Sequence, residues 1–251
     1  MREQLITGAL APFEVCSSEL LEARALQKRV DSKYMFSLHK LPALLETLSE
    51  SFHIVLSDGK HSATYETLYY DTPDRALFDA HRRGRRPRHK VRVRHYAERN
   101  LCFLETKTKD RYSVTTKHRY TRDARAFDLN DADRVQVIDA IGDVGELVPA
   151  VWLDFRRVTL VGVNHLERMT FDLGVSMRAD DKEAAFPDVC IAELKQARFA
   201  SQSPGVQALR AFGIRPGSMS KYCIAASTLL FPGRTTPFRA TARELERLSH
   251  A

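Results

Sequence analysis

The stretch from residue 89 to residue 120 limits what this chain can become. It reads HKVRVRHY, AERN, LCFLETKTK, DR and YSVTTKHRY. Three runs in it alternate with period two, and side chains two apart on a strand point the same way. Arg92 and Arg94 share a face, with Val91 and Val93 on the other. Glu105 shares a face with Lys107, and Lys117 with Arg119. Alternation of this kind normally puts polar groups outside and apolar groups inside. Here the polar set is mostly long cations with one glutamate among them, and the pattern recurs in the C-terminal half. That favours the inverse arrangement, strands of a barrel with a charged lumen. A basic lumen is costly to build unless an anion, water or interspersed carboxylates compensate it. The first expectation is therefore a tunnel that holds a polyanion.

With 251 residues the chain can bury a substantial core as one large domain. Its net charge of +7 and pI near 9.3 are compatible with an anionic partner. Nucleic acid, phosphorylated small molecules and anionic membrane all stay open at this level. Cys16, Cys102, Cys190 and Cys223 are scattered, with no CxxC pair and no zinc-ligand spacing. Together with the lack of a signal peptide, they point to a reduced, cytoplasmic protein. No apolar run approaches the roughly 20 residues of a membrane helix. Residues 224–231 are too few for one and read as the buried end of a helix.

Along the chain, residues 1–28 read as an N-terminal arm and helix, 29–231 as the tunnel domain and 232–251 as a basic tail ending in a small helix. Within the first part, 1–16 is an arm without period and 17–27 a serine-capped helix. A strand over 29–38 puts Arg29, Asp31 and Lys33 on one face. A helix over 39–49 carries Pro42 in its first turn. Strands over 52–56 and 62–70 flank an Asp58-Gly59 turn, a hairpin signal. A helical turn over 74–80 turns Leu77 and Phe78 inward, and RRGRRPR at 82–88 is a loop. After the alternating strands come a loop and helix over 126–141, strands at 151–161, 167–173 and 189–195, and helices at 203–212 and 219–230. Short connections make the strands mostly antiparallel. The class is α+β, and the architecture an antiparallel β-barrel with helices packed outside.

The runs RVDSKYMF, YETLYYDTPD, KVRVR, FLETKTK, TTKHRY, FRR, ERMTFD, IAELK and SKYC, in this order over residues 29–230, resemble the vacuolar transporter chaperone (VTC) domain. That domain is the polyphosphate-polymerase branch of the triphosphate tunnel metalloenzymes, which include the CYTH phosphatases and cyclases. The resemblance implies a β-barrel tunnel that transfers the terminal phosphoryl of ATP to a growing polyphosphate, with Mn²⁺ or Mg²⁺. It implies that Arg92, Arg94, Lys107, Arg157, Arg168 and Lys221 act on the phosphates, that Lys33, Lys117 and Lys195 bind substrate, and that Glu193 holds the metal. Arg157 is preferred to Arg156 because the family places an arginine two residues after an aromatic, here Phe155. CYTH members carry ExExK on the first strand. Arg29, Asp31 and Lys33 stand there instead, which argues against a typical CYTH hydrolase. The phosphate-sensing and transmembrane domains of eukaryotic VTC proteins are missing from this sequence.

Phosphoryl transfer needs positioning and charge neutralisation more than covalent help. Arginine forks match pairs of phosphate oxygens, lysines add movable charge, and a carboxylate suits a hard divalent ion. No P-loop, Ser-His-Asp or kinase motif is present, and an ionised phosphate acceptor needs no general base. Glu105 and Asp172 have the chemistry either of second metal ligands or of partners that hold cations in place. The residues alone leave other readings open. Arg92 and Arg94 could form an exposed basic edge. The pairs Glu105-Lys107 and Glu193-Lys195 could be ion pairs on a solvated face. His89, His95 and His118 read as surface histidines and Trp152 as core. A hydrolase of triphosphate, polyphosphate or nucleoside triphosphate, and a polyphosphate-binding protein without turnover, are the alternative functions. No specific nucleic-acid partner is expected.

Overall fold

The computed structural model describes residues 2–24, 29–123, 126–231 and 236–249. The end of the expected 17–27 helix, and residues 232–235 and 250–251 of the tail, lie outside them. The chain begins with α1 (Arg2–Leu10) and α2 (Ser18–Ala23), followed by β1 (Val30–Ser37), α3 (Leu41–Leu48), β2 (Phe52–Ile54), β3 (Ala63–Asp71) and α4 (Ala76–Arg82). β4 (Arg88–Tyr96), β5 (Leu101–Lys109) and β6 (Thr115–Arg122) are the three alternating runs. After α5 (Asp131–Ile141) come β7 (Val148–Gly162), β8 (Glu167–Ala179), β9 (Lys182–Phe186) and β10 (Val189–Gln196). The chain ends with α6 (Pro204–Ala211), β11 (Pro216–Gly217), α7 (Lys221–Ala225) continuing as a π-helical turn Ala226–Leu230, and α8 (Arg239–Ser249).

The eleven strands among the described residues join one antiparallel sheet in the order β11-β1-β10-β8-β7-β3-β4-β5-β6, with β2 added on β7 and β9 on β8. The α+β class holds, but the expected barrel does not close, because β6 and β11 are not paired with each other among the described residues. β11 has only two residues and leaves most of the outer edge of β1 uncovered. The sheet still curls strongly. The Lys107 ammonium on β5 feels the charges of Lys33 on β1 and Glu193 on β10, from the other end of the strand order. The result is a trough, open along one seam.

β7 is the spine. Its fifteen residues carry β2 on the C-terminal half, Phe52 opposite Gly162, and β3 beside it, Ala63 opposite Arg157. The expected β2–β3 hairpin is therefore absent. The Asp58-Gly59 turn, closed by Ser57 and Lys60, carries the chain along β7 instead of back on itself.

Alternation sorts the sheet into two faces. On the convex face, α1, α3 and α6 cover one core that includes Phe36, Phe52, Leu160, Phe171 and Leu194. Residues 127–147, with α5, cover a second around Val91, Val93 and Leu104. α5 starts with a reciprocal cap, in which Asn130 accepts from the Asp133 amide and Asp133 from the Asn130 amide. The N-terminal arm is corrected to α1, whose Ile6, Ala9 and Leu10 join the first core with Phe13.

The C-terminal helices break the expectation that all helices lie outside. Tyr222, Ile224 and Leu229 of the α7 segment and Leu245 and Leu248 of α8 pack with Val151, Leu153, Phe155 and Ile191. Phe155 shares its face with Arg157, and Ile191 with Glu193, so these helices fill the apolar end of the concave face. The apolar run at 224–231 is thus buried inside the trough. β9 was not foreseen, because KEAAF carries no alternation.

Candidate functional site

Strand register lines the charged end of the trough with rows of side chains. Tyr69, Arg92, Glu105 and Arg119 lie opposite one another across β3, β4, β5 and β6. Glu105 is the hub, its side chain only 1% exposed. Its Oε2 accepts from Arg92 Nε at 2.7 Å and Nη2 at 2.5 Å, and Oε1 from Lys117 Nζ at 2.5 Å and Arg119 Nη2 at 2.8 Å. Arg94 Nη1 stands 3.9 Å away. Burial works against this charge, but Arg92, Arg94 and Lys117 outweigh it and hold the carboxyl well below the usual range. Arg92 also donates from Nη1 to the Tyr69 hydroxyl at 2.7 Å. Burial pushes the Tyr69 phenol up, yet Arg92, Arg94 and Lys90 bring it down to about 8. Burial also lowers Lys117 to about 8, against the pull of Glu105.

The second cluster stands on β7 and β8. Arg157 donates to both oxygens of buried Asp172, Nε at 2.5 Å and Nη2 at 2.8 Å. Lys221, at the start of α7, donates to the same carboxylate. Burial raises the Asp172 carboxyl, but Arg157 and Lys221 bring it down to about 2. The two clusters meet over the floor of the trough. The guanidiniums of Arg94 and Arg157 lie 5.2 Å and 4.9 Å from the Tyr65 ring, and both lie over Phe155.

The third cluster is on β10 and β1. Glu193 accepts from Lys33 at 3.2 Å and from Lys195. Arg168, opposite Lys195, is half-buried and has no ion pair among the described residues. Burial disfavours its charge.

Lys33, Arg92, Arg94, Lys107, Lys117, Arg157, Arg168, Glu193 and Lys195 thus share the concave face, and Lys221 reaches it from α7. Arg156 is exposed on the other side of β7. Glu105 and Asp172 both hold cations through ion pairs. Arg119 and Lys90 also line the trough, and both continue an alternation that the sequence displays. Tyr69 gave no such signal, since its partner is a strand away. His95 is buried, against expectation, with Nδ1 2.7 Å from Glu66 and Nε2 3.2 Å from Asn100. Trp152 is half-buried against Phe127.

No three His, Cys, Asp or Glu side chains gather into a ligand set among the described residues. A hard ion that takes most ligands from water and phosphate needs only one or two protein carboxylates. Glu193 fits that role. On the strand beside it, directly opposite, Thr170 holds a buried hydroxyl without a hydrogen-bond partner.

A family model described as the VTC domain matches residues 28–230. This chain belongs to the VTC domain family. No curated protein matches it in sequence. Among solved structures, this VTC domain is similar to PH1819 of Pyrococcus horikoshii OT3, at 13% identity and TM-score 0.42, over 77% of this chain and 96% of that one. It is also similar to HpAC1 from Hippeastrum, an adenylyl cyclase candidate described as having a dominant triphosphatase activity. That likeness has 16% identity and TM-score 0.47, over 80% of this chain and 96% of that one. No helix among the described residues of this VTC domain is long and apolar enough to cross a membrane. Its four cysteines are free thiols.

Proposed function

We propose that this VTC domain transfers the terminal phosphoryl group of ATP to the end of a growing polyphosphate in the trough. The observation that carries the reading is the convergence of Arg94 and Arg157 over one aromatic floor, with Arg92 two residues from Arg94 on the same face of β4, and with Arg92 and Arg157 locked in place by buried carboxylates. Guanidiniums fixed in a partly dry site act more strongly on phosphate than the same groups on an open surface. In the step, the bond between the terminal phosphorus and the bridging oxygen breaks, a terminal oxygen of the acceptor bonds to that phosphorus, and ADP leaves. The acceptor oxygen is already ionised, so no proton has to be removed.

Arg92, Arg94 and Arg157 orient the transferred group and offset charge on its oxygens. Lys221, Lys107 and Arg168 act on flanking phosphates, and Lys33, Lys117 and Lys195 hold substrate. Bound Mn²⁺ or Mg²⁺ would supply further charge neutralisation, with Glu193 as its protein ligand. Residues 29–231 are the working unit in this reading, with 1–28 and 232–251 as additions to it. The free thiols suit the cytoplasm. Hydrolysis is the second reading, favoured by the open seam, which gives water a route to the same phosphorus.

The test is incubation of the purified protein with ATP and Mn²⁺, product sizing on a gel and a parallel Glu193→Ala control. A polyphosphate ladder that disappears in the control supports the polymerase. Orthophosphate alone moves the activity to hydrolysis. No turnover, with inorganic triphosphate still raising the melting temperature, leaves a binding protein.

A further inference from the structure

At one end of the trough, strand pairing sets cation against cation. Arg88 lies opposite Lys109, Lys90 opposite Lys107, and Lys107 opposite Lys117. Like charges directly across a sheet are destabilising. One row further in, Glu105 sits between Arg92 and Arg119, compensates them and also takes Lys117, but no carboxylate stands opposite Arg88, Lys90, Lys107 or Lys109 on the paired strands of the strip. Asp31 and Glu193 act on Lys107 from β1 and β10, and the nearby acids hold other partners. Asp110 accepts from the Val114 amide at 2.8 Å, Asp79 holds Arg82 and Arg83 at 2.9 Å, and Asp31 pairs with Arg29 at 3.0 Å. Arg88 Nε is buried with no hydrogen-bond partner among the described residues. Burial, then Arg88, Arg86 and Lys33, disfavours the charge of Lys109. The 82–88 loop adds to the strip, with Arg85 and Arg86 exposed and Arg86 bonded to Ser113 in the β5–β6 turn.

We propose that Arg86, Arg88, Lys90 and Lys109 form a second anion site, which holds the distal phosphates of a polyphosphate chain whose end lies among Arg92, Arg94 and Arg157. The proposal rests on the reading of the trough as a triphosphate site. Continuity supports it. Arg88, Lys90, Arg92 and Arg94 are successive inward positions of one strand, so a single linear anion can pass from one site to the other. The strip also supplies the missing compensation, since a bound anion removes the repulsion between opposed cations. Nucleic acid is disfavoured as the occupant because sequence-tolerant strand binding uses aromatic rings on which bases stack. The inward positions of the strip are Arg88, Lys90, Lys107, Lys109, Thr115 and Lys117, with no ring among them.

The experiment is calorimetric titration of inorganic triphosphate and of long-chain polyphosphate into the wild type and into Arg88→Ala/Lys109→Ala. The wild type is expected to bind the long chain more tightly than triphosphate. The double variant is expected to lose about tenfold or more in long-chain affinity, as two charge-assisted contacts disappear, while its triphosphate affinity stays unchanged. Its melting temperature should hold or rise, because opposed like charges have gone. Arg86→Ala, in the loop and outside the strands, should lose part of the same advantage. An unchanged long-chain affinity, or an equal loss for triphosphate, overturns the second site. A single-stranded oligonucleotide of equal charge bound as tightly as polyphosphate overturns the choice of occupant. Failure of the wild type to bind triphosphate sinks the reading of the trough itself, a different result from failure of the strip.

Discussion

Arg92 donates one nitrogen to Tyr69 and others to Glu105, so a single guanidinium ties a phenol to a buried carboxylate. Burial pushes the phenol up, but Arg92, Arg94 and Lys90 outweigh it and bring it from its ordinary value of 10 down to about 8. A lowered folded-state pKa means that the ionised form gains stability above the unfolded value and that this gain is lost as pH falls through about 8. For binding the consequence runs the other way. Above pH 8 the phenolate partly neutralises the cations that should meet phosphate. Lys117 loses its charge in the same range, so the comparison needs a Lys117→Arg background. In that background, triphosphate affinity should fall by about fivefold as pH rises from 7 to 9, a Coulomb loss of about 1 kcal/mol. Adding Tyr69→Phe should flatten the profile, and an undiminished slope would exclude the phenol as its source. The alternating cations could be read directly, because neighbours two apart share a face. The roles of Tyr69 and Glu105 could not, because both depend on which strand lies alongside.

α7 shows the same limit for a whole element. A helix over 219–230 follows from the sequence, but helical spacing does not say which face of a sheet it will cover. Its position comes from three consecutive residues that each reach a different partner. Ser220 accepts from Lys90 at 2.8 Å, Lys221 donates to Asp172, and Tyr222 donates to buried Asp71. Asp71 also accepts from the Leu77 and Phe78 amides, at 2.9 Å each, which fixes the start of α4. Tyr222→Phe keeps the ring stacked on Tyr69 and removes only the hydroxyl. It should cost about 1–3 kcal/mol in urea unfolding, the penalty of an underbonded buried carboxylate. An unchanged midpoint would mean that apolar packing alone holds the plug. The misread arm at 1–16 has a related cause. α1 is short and weakly patterned, and its apolar residues are set by contact with α3.

For the molecule as a whole, a charged concave face was legible and its closure was not. Closure depends on pairing between edge strands far apart in sequence, and β11 is too short to show in any pattern. Likewise nothing local announces that β2 and β3 lie in line on β7 and form no hairpin. The proposal at this scale is that the trough is built for a polyphosphorylated anion, at some expense in stability. Arg94 isolates that claim. Its side chain is 8% exposed, and burial and Arg92 disfavour its charge, while Glu105, at 3.9 Å, is only a distant partner. The most direct measurement is calorimetric titration of inorganic triphosphate into the wild type and Arg94→Met, with thermal melts of both. The substitution keeps the stem and removes the charge. The account predicts an affinity loss of about tenfold or more, with a melting temperature unchanged or raised. Unchanged affinity, or a loss that simply tracks unfolding, would contradict it.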